Sequence, residues 1–251
     1  MDILLKDGER LDKVNEKIAL IQKKDGLTFG TDAFLLASFI KPLSRGVAIE
    51  LGAGTGIISL LLASRGRFSK IKALEIQSDF AELAERNASL NKMSDTVEVL
   101  YRDVTKTKAA DVGGEADVVF TNPPYMKTEC GKRNESDYKY IARHEVCGDV
   151  NDFCAAAFRM LKHGGKFYAV WRPDRLTDLI CAMRANRLEP KVITFVHADQ
   201  SSAPSIMLVS AIKGGASGMT VTPPLFLYDG EARNELGKRA QKIYDTMSFE
   251  D

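Results

Sequence analysis

Short apolar runs rich in β-branched residues alternate with helical stretches along most of this chain, and that alternation restricts its fold more than any other feature. The predicted strands are Val47–Leu51, Ile71–Ile76, Val97–Tyr101, Asp117–Thr121, Lys166–Trp171, Lys191–His197 and Ser205–Lys213. The predicted helices are Gly56–Arg65, Asp79–Leu90, Asn151–Leu161 and Arg175–Asn186. Strands that alternate with helices through short connections form a parallel sheet covered on both faces. The sequence therefore predicts an α/β fold with a mostly parallel, doubly wound sheet.

The two ends of the chain depart from this alternation. Only a polar, proline-containing loop separates the last two strands, which predicts an antiparallel terminal hairpin. Residues 46–213 form the predicted core. Residues 1–45 form an N-terminal preface that packs on it, with a strand-like Lys17–Gln22 and a helix whose N-cap is Thr31 or Asp32. Residues 214–251 form a C-terminal extension with a helix over Gly230–Asp245, and residues 126–148 read as a polar insertion.

Composition excludes several classes of protein. With 251 residues, 45% of them hydrophobic and 27% charged, the chain is typical of an ordinary soluble globular protein. No apolar run approaches the roughly 18 residues of a membrane span, and the start lacks the basic and apolar regions of a signal peptide. The four cysteines form no CxxC pair and lack zinc spacing. We therefore expect reduced thiols, no metal, no membrane association, no obligate protein partner and a cytoplasmic location.

Glycines recur at alternate positions directly after the first core strand. The segment reads Glu50–Leu51–Gly52–Ala53–Gly54–Thr55–Gly56, and an apolar helical run follows it. Such glycines let the backbone turn tightly and approach a ligand closely. Glu75 stands 21 residues after Gly54, near the end of the second strand. A carboxylate there can accept hydrogen bonds from both hydroxyls of a ribose, and the GxGxG spacing differs from the GxGxxG of dinucleotide-binding proteins.

The tetrapeptide Asn122–Pro123–Pro124–Tyr125 follows the fourth predicted strand. Ligands bind at the carboxyl ends of strands in such sheets, so this segment should line the same crevice as the glycine turn. The two prolines fix φ and remove two amide donors, which leaves carbonyl acceptors beside the Asn122 side chain. Acceptors in this arrangement suit an NH2 group with a delocalised lone pair, and Tyr125 offers a face for stacking a planar base or amide. We interpret these four residues as catalytic.

The glycine turn, Glu75 and the tetrapeptide together resemble the class I S-adenosyl-L-methionine-dependent methyltransferases, which have a Rossmann-like fold. The tetrapeptide matches the (N/D/S)PP(Y/F) motif of amino-methyltransferases. The resemblance implies that Glu50 lies near the methionine part of S-adenosylmethionine, Glu75 holds the ribose and Asp103 approaches the adenine. It implies further cofactor contacts from Gly52, Gly54, Gly56 and Asn122.

The preface segment Leu27–Ala37, with the sequence LTFGTDAFLLA, resembles an element of the bacterial tRNA1(Val) (adenine-37-N6)-methyltransferase family. The resemblance extends to Gly8–Asp12 and to Ala142–Glu145, and covers most of residues 5–213. It implies a tRNA substrate and methyl transfer to N6 of adenosine 37. Gly30, Thr31 and Asp32 would close one side of the cofactor pocket.

Basic residues near the predicted pocket are candidates for contacts with RNA phosphates. The candidates are Lys127, Lys132, Arg133, Arg143, His144 and Arg172, with Lys162 and Arg175 extending a track from Arg172. From Arg159 to Lys191 there are eight basic residues against three acidic ones, and the alternative interpretation is a solvated helix face. Arg143 and His144 have an alternative role in packing the insertion against Glu145. The net charge of +1 predicts modest, salt-dependent affinity for RNA.

Three other functions remain open from the sequence. A release-factor glutamine N5-methyltransferase shares the Asn-Pro-Pro-Tyr chemistry, but that family carries a helical N-terminal domain that the short preface does not match. An rRNA guanine-N2 methyltransferase usually has Phe where this chain has Tyr125. A non-catalytic scaffold that binds S-adenosylmethionine or RNA has no need of the acceptor arrangement at Asn122.

Overall fold

A computed structural model of the protein describes residues 5–24, 30–123, 149–229 and 235–249. The helices are α1 (Thr31–Phe39), α2 (Ile57–Ser64), α3 (Ser78–Leu90), α4 (Val150–Met160), α5 (Leu176–Ala185) and α6 (Lys238–Thr246). The strands are β1 (Glu9–Lys13), β2 (Ala19–Lys23), β3 (Val47–Leu51), β4 (Lys70–Glu75), β5 (Val97–Tyr101), β6 (Ala116–Thr121), β7 (Leu161–Trp171), β8 (Leu188–His197), β9 (Pro204–Lys213), β10 (Thr220–Val221) and β11 (Leu225–Phe226). None of the described helices is long and apolar enough to cross a membrane.

The central sheet has the order β5-β4-β3-β6-β7-β9-β8, and the short strands β10 and β11 both pair with β8. Strands β3 to β7 pair in parallel, whereas β9 runs antiparallel to β7 and to β8. The predicted parallel sheet with an antiparallel final pair is therefore confirmed. The two short strands after β9 were not predicted, because two-residue strands carry no usable periodicity.

Side chains of alternate strand residues enter two separate cores, one on each face of the sheet. Phe120 packs beneath α1 and α2 with Leu36 and Leu60. Val119, its neighbour in β6, points to the other face, where Phe153 of α4 covers it. Burial on both faces explains why these strands read as continuous apolar runs.

The predicted N-cap of α1 is wrong. The helix is capped by Gly30, without a side-chain hydrogen bond, and Thr31 and Asp32 are its first two residues. The Asp32 carboxylate folds back over the cap, and a Cβ on Gly30 would lie 2.7 Å from Asp32 Oδ1. A side chain at position 30 would therefore have to displace the Asp32 carboxylate. An acidic residue in the first turn also interacts favourably with the helix dipole.

The predicted C-terminal helix is wrong at its start. Residues 230–234 lie outside the described part of the chain, and α6 begins only at Lys238. Leu236 instead forms a β-bridge with Tyr228. The helix packs on α1, where the rings of Phe34 and Tyr244 stack with centroids 4.3 Å apart.

The preface contains a β-hairpin that contacts α3 and its C-cap through Asn87, Asn91 and an ion pair of Arg86 with Glu9. Strands β1 and β2 pair antiparallel, and only the second of them was predicted as a strand. Asn87 is fully buried; its Oδ1 accepts a hydrogen bond from the backbone N–H of Ile21 at 2.7 Å. Its Nδ2 donates to the carbonyls of Ile21 and Thr55, both at 3.0 Å. Since Thr55 belongs to the glycine turn, Asn87 connects the hairpin to that turn.

Asn87→Ala is expected to lower the free energy of unfolding by about 2–4 kcal/mol, because it leaves buried backbone groups of Ile21 and Thr55 without a partner. Denaturant unfolding followed by circular dichroism measures this change. Ser89→Ala, on the exposed side of the same helix, is the matched control and should change stability by less than about 0.5 kcal/mol. Equal stability of the two variants would contradict the structural role given to Asn87.

Candidate active site

The carboxyl ends of β3, β4 and β6 meet at one edge of the sheet. Thr121 donates a hydrogen bond from Oγ1 to the carbonyl of Leu51 at 2.8 Å. The backbone N–H groups of Gly52 and Ala53 both donate to the carbonyl of Leu74 at 2.9 Å. These bonds bring the glycine turn, Glu75 and Asn122 to the same edge, where ligands bind in open α/β sheets.

The glycine turn has a backbone that other residues rarely adopt. Gly52, Gly54 and Gly56 have φ values of +74°, +55° and +80°. Gly56 is the N-cap of α2, so that helix begins one residue later than predicted. A Cβ on Gly56 would lie 3.3 Å from Cβ of Ala84, whereas a Cβ on Gly54 would meet no atom within 4 Å. Gly56 therefore permits close packing of α3, and Gly54 faces open space in which a ligand fits.

Glu75 lies beneath the turn, and its carboxylate is bound from two sides. Oε2 accepts a hydrogen bond from the N–H of Gly54 at 2.8 Å, and Oε1 accepts one from the N–H of Gln77 at 2.9 Å. Burial raises the pKa of Glu75, while these backbone hydrogen bonds oppose that shift. Each carboxylate oxygen has a second lone pair. The group thus retains acceptor capacity for the two hydroxyls of a ribose.

Glu50 is the most deeply buried acid of the site. Its side chain is 1% exposed, and its Oε2 accepts a hydrogen bond from the hydroxyl of Ser59. Burial raises the pKa of Glu50 to about 8, the Ser59 hydrogen bonds oppose the shift, and the charge of Glu75 adds a smaller rise. At neutral pH the carboxyl is therefore mainly protonated. A cation bound nearby would favour its ionised form.

Asn122 and Asp32 come together from opposite parts of the chain. Asn122 Nδ2 donates a hydrogen bond to Asp32 Oδ2 at 3.1 Å, while Asp32 Oδ1 accepts one from the N–H of Ala33 at 2.9 Å. The contact orients the Asn122 amide, because its NH2 end is directed to the carboxylate and its carbonyl oxygen lies at the other end. Two predicted site residues 90 positions apart are thus in direct contact.

Asp103 follows β5 at the same edge of the sheet, but its carboxylate is held within a local turn. Oδ1 accepts hydrogen bonds from the N–H and the hydroxyl of Thr105 at 2.9 and 2.6 Å, and Lys106 pairs with Oδ2 at 3.0 Å. Partial burial raises the pKa of Asp103, but the bonds from Thr105 and Lys106 outweigh it and lower the pKa below its usual value. Contact with an adenine stays a prediction.

Several predicted site residues lie outside the described part of the chain. They are Pro124, Tyr125, Lys127, Lys132, Arg133, Arg143 and His144. Asn122 and Pro123 are the described residues of the tetrapeptide. The roles assigned to the undescribed residues remain predictions.

The basic track predicted around Arg172 is wrong in its extension to Lys162. Arg172 follows β7 and forms a bidentate pair with Asp174 at 2.9 and 2.8 Å. Lys162 lies at the other end of β7, beside the start of β6, and pairs with Asp117 at 2.7 Å. Arg175 pairs with Asp178. These three cations therefore form separate ion pairs rather than one continuous surface.

Two contacts at the site were not predicted. Ser59 binds Glu50 and is the one polar residue within the apolar run of α2. A polar residue at such a position was the sequence signal that could have predicted this contact. Phe34 of α1 stacks on Tyr244 of α6, more than 200 residues later in the chain. No local pattern reports such a distant contact. Among the described residues, no group of three or more His, Cys, Asp or Glu side chains converges as a metal site does.

The parallel sheet, the glycine turn after its first core strand and the buried acid after its second define a Rossmann-like α/β protein. The chain belongs to the methyltransferase small domain family, whose family model matches residues 23–179. It is therefore a methyltransferase, and the predicted enzyme class is confirmed.

Curated relatives match over most of their length. A protein of Phocaeicola vulgatus named tRNA1(Val) (adenine(37)-N6)-methyltransferase is 28% identical over 183 residues, which cover 72% of this chain and 75% of that protein. A protein of the same name from Dyadobacter fermentans is 26% identical, with 79% of this chain and 81% of the relative covered.

Solved structures share the fold. A predicted O-methyltransferase from Agrobacterium tumefaciens superposes with a TM-score of 0.70 at 24% identity, and covers 87% of this chain and 97% of its own. M. jannaschii TYW2 in complex with AdoMet superposes with a TM-score of 0.56 at 14% identity, with 83% and 87% covered. The predicted class I methyltransferase fold is thereby confirmed.

Without a bound ligand, the stability of the protein is expected to fall between pH 4.5 and about 8 because of Glu50. Its raised pKa means that the folded state binds this proton more tightly than the unfolded state. The resulting stabilisation is fully present below pH 4.5 and is lost as the pH rises through about 8. Glu50→Gln should remove up to about 1.4 kcal/mol per pH unit of this slope.

Denaturant unfolding of the ligand-free protein at a series of pH values tests the expectation. Glu85→Gln, an exposed position on α3, is the matched control and should keep the wild-type slope. A Glu50→Gln variant with the same slope as wild type would show that Glu50 is ionised throughout.

Proposed function

We propose that this protein transfers a methyl group from S-adenosylmethionine to N6 of adenosine 37 in tRNA1(Val). Relatives that match 72–79% of the chain carry the name of that activity. The observation that carries the proposal is the contact between Asn122 and Asp32, because it orients an amide acceptor at the edge where Glu75 lies. The name of the relatives indicates the substrate, and the residues of the site are suited to methyl transfer to that substrate.

The Asn122 side chain is suited to an exocyclic amino group. The lone pair of adenine N6 is delocalised into the ring, so the nitrogen is a poor nucleophile. A hydrogen bond from N6–H to an oriented carbonyl oxygen places the nitrogen and favours its pyramidal geometry. Pro123 adds no N–H donor that would compete for that acceptor. Asn122 therefore acts as a positioning acceptor, and the proton of N6 leaves after the methyl group has been transferred.

The acids of the site fit the cofactor. S-adenosylmethionine supplies an electrophilic methyl group on a positively charged sulfonium. Glu75 provides acceptors for ribose hydroxyls, and the Gly54 backbone leaves space above it. Asp32 adds a carboxylate that complements the positive charge, and that charge would favour the ionised form of Glu50. Each of these groups binds or orients; none is required as a general base.

The substrate is tested with labelled S-adenosylmethionine offered separately to unmodified tRNA, to release factors and to ribosomal RNA. Digestion and mass spectrometry identify the methylated species. We expect N6-methyladenosine at one position of tRNA1(Val). Label in a release-factor glutamine or in a guanine of ribosomal RNA would overturn the tRNA assignment while retaining the amino-methyltransferase chemistry.

Asn122→Ala is expected to lower kcat by about 100-fold or more, the usual effect of removing one oriented polar group from a reacting centre. Affinity for S-adenosylmethionine should stay within a few-fold of wild type. Asn186→Ala, at the far end of α5, is the matched control and should leave both quantities unchanged. Parallel loss of methyl transfer and cofactor binding in Asn122→Ala would assign Asn122 a structural role.

Glu75→Gln is expected to lower the affinity for S-adenosylmethionine and to leave kcat close to the wild-type value. It retains an oxygen for the N–H of Gly54 but removes a charged acceptor, so affinity for S-adenosylmethionine should fall about tenfold. Isothermal calorimetry measures this affinity, with Glu85→Gln as the control. Unchanged affinity would exclude Glu75 from the ribose site.

A further inference from the structure

A cavity lies on the α1 and α6 side of the sheet, away from the candidate active site. Its volume is about 370 Å³, and its lining comes from the C-terminal end of α1, from the first turn of α6 and the residues after that helix, and from β7, β8 and β9. Helix α1 begins beside Asn122 and ends at this cavity. Its nine residues, at about 1.5 Å each, separate the two places by about 13 Å.

The described lining of this cavity is strongly basic. Five of its lining residues are Lys or Arg, and none of its described lining residues is Asp or Glu. The cations are Lys41, Arg67, Lys166, Lys191 and Arg239. Two of them, Lys166 and Lys191, belong to the basic cluster at 159–191 that the sequence singled out.

Neutral carbonyl groups, rather than carboxylates, hold two of these cations in place. Lys191 donates to the carbonyls of Ala216 and Gly218, the second at 3.1 Å. Arg239 donates to the carbonyls of Pro223 and Pro224 at 3.3 and 3.2 Å. A carbonyl orients a cation without cancelling its charge. These two side chains therefore keep a positive charge that an ion pair with a carboxylate would have cancelled.

Arg67 provides a fixed charge at the floor. The residue is 8% exposed, and its guanidinium donates to the carbonyl of Ile40 at 2.7 Å and to that of Met247. These carbonyls lie at the ends of α1 and α6, so the same side chain joins the two helices. Burial of a guanidinium lowers the local dielectric screening and strengthens its attraction for an anion.

Hydroxyl and aromatic groups complete the lining. Thr194 and Thr222 hydrogen-bond to each other at 2.8 Å, and both border the cavity. The ring of Phe39 lies edge-on to Tyr168 and Phe249, with centroids 5.8 and 5.5 Å away. Apolar walls with a few convergent polar groups are typical of small-molecule sites, and the volume lies within their usual range.

We propose that this cavity binds a phosphate group, belonging either to the backbone of an RNA or to a small phosphorylated molecule. Several cations arranged around one space match a multiply charged tetrahedral anion better than a single carboxylate. The site is separate from the methyl-transfer centre, so phosphate binding does not depend on the function proposed above.

The test uses Lys166→Gln in the full chain, because no described residue hydrogen-bonds or ion-pairs with the Lys166 side chain in the structure. Inorganic phosphate is titrated by calorimetry against chloride at equal ionic strength. An unmodified tRNA stem-loop is titrated in parallel at several salt concentrations. Lys13→Gln, an exposed lysine of the β1–β2 hairpin, is the matched control, and Lys166→Arg restores the charge.

We expect Lys166→Gln to weaken phosphate binding about tenfold, the cost of one charge-assisted hydrogen bond, and Lys166→Arg to restore it. If the natural source is RNA, the salt slope of stem-loop binding should also fall by about one. An effect on inorganic phosphate alone identifies a small phosphorylated ligand. Equal behaviour of Lys166→Gln and Lys13→Gln in both titrations would overturn the proposal, whatever the methyl-transfer assay shows.

Discussion

The parallel pairing of β3 with both β4 and β6 is the constraint on which the candidate active site depends. Register places Leu51 beside Leu74 on one side and beside Thr121 on the other. The residues that follow these positions then emerge at the same edge. Glu75 accepts from the Gly54 amide, and Asn122 reaches Asp32, only because this register aligns the ends of the three strands. A shift by one residue would turn each of these side chains to the wrong face.

Glu50 shows how the site sets stability against binding. A carboxyl group that is 1% exposed, with Ser59 as a hydrogen-bond partner, is held mainly neutral by its surroundings. Burial of an acid in this way lowers the stability of the folded state as the pH rises. A hydrophobic residue of similar size at position 50 would avoid that loss. The cost is understandable if a positively charged ligand stabilises the ionised form when it binds.

The basic residues between 159 and 191 divide into groups that their sequence proximity conceals. Arg159 donates to the carbonyls of Val104 and Thr105 at 2.9 and 3.0 Å, and Arg172 pairs with Asp174. Those cations have structural partners. Lys166 of β7 and Lys191 of β8 line the cavity beside α1 and α6, and Lys191 also donates to the carbonyls of Ala216 and Gly218. Charge counting along the chain did not separate these groups, because the direction of a side chain depends on strand register.

The sequence by itself determined the order of strands and helices, the glycine turn, the acid after β4 and the motif beginning at Asn122. These are local signals, since periodicity, backbone freedom and spacing act over a few residues. Tertiary structure alone decided the partnership of Asp32 with Asn122, the burial of Glu50 against Ser59 and the stacking of Tyr244 on Phe34. It also gathered Arg67 and Arg239 into one cavity. Such contacts join distant segments, and packing around the sheet, rather than any local preference, selects them.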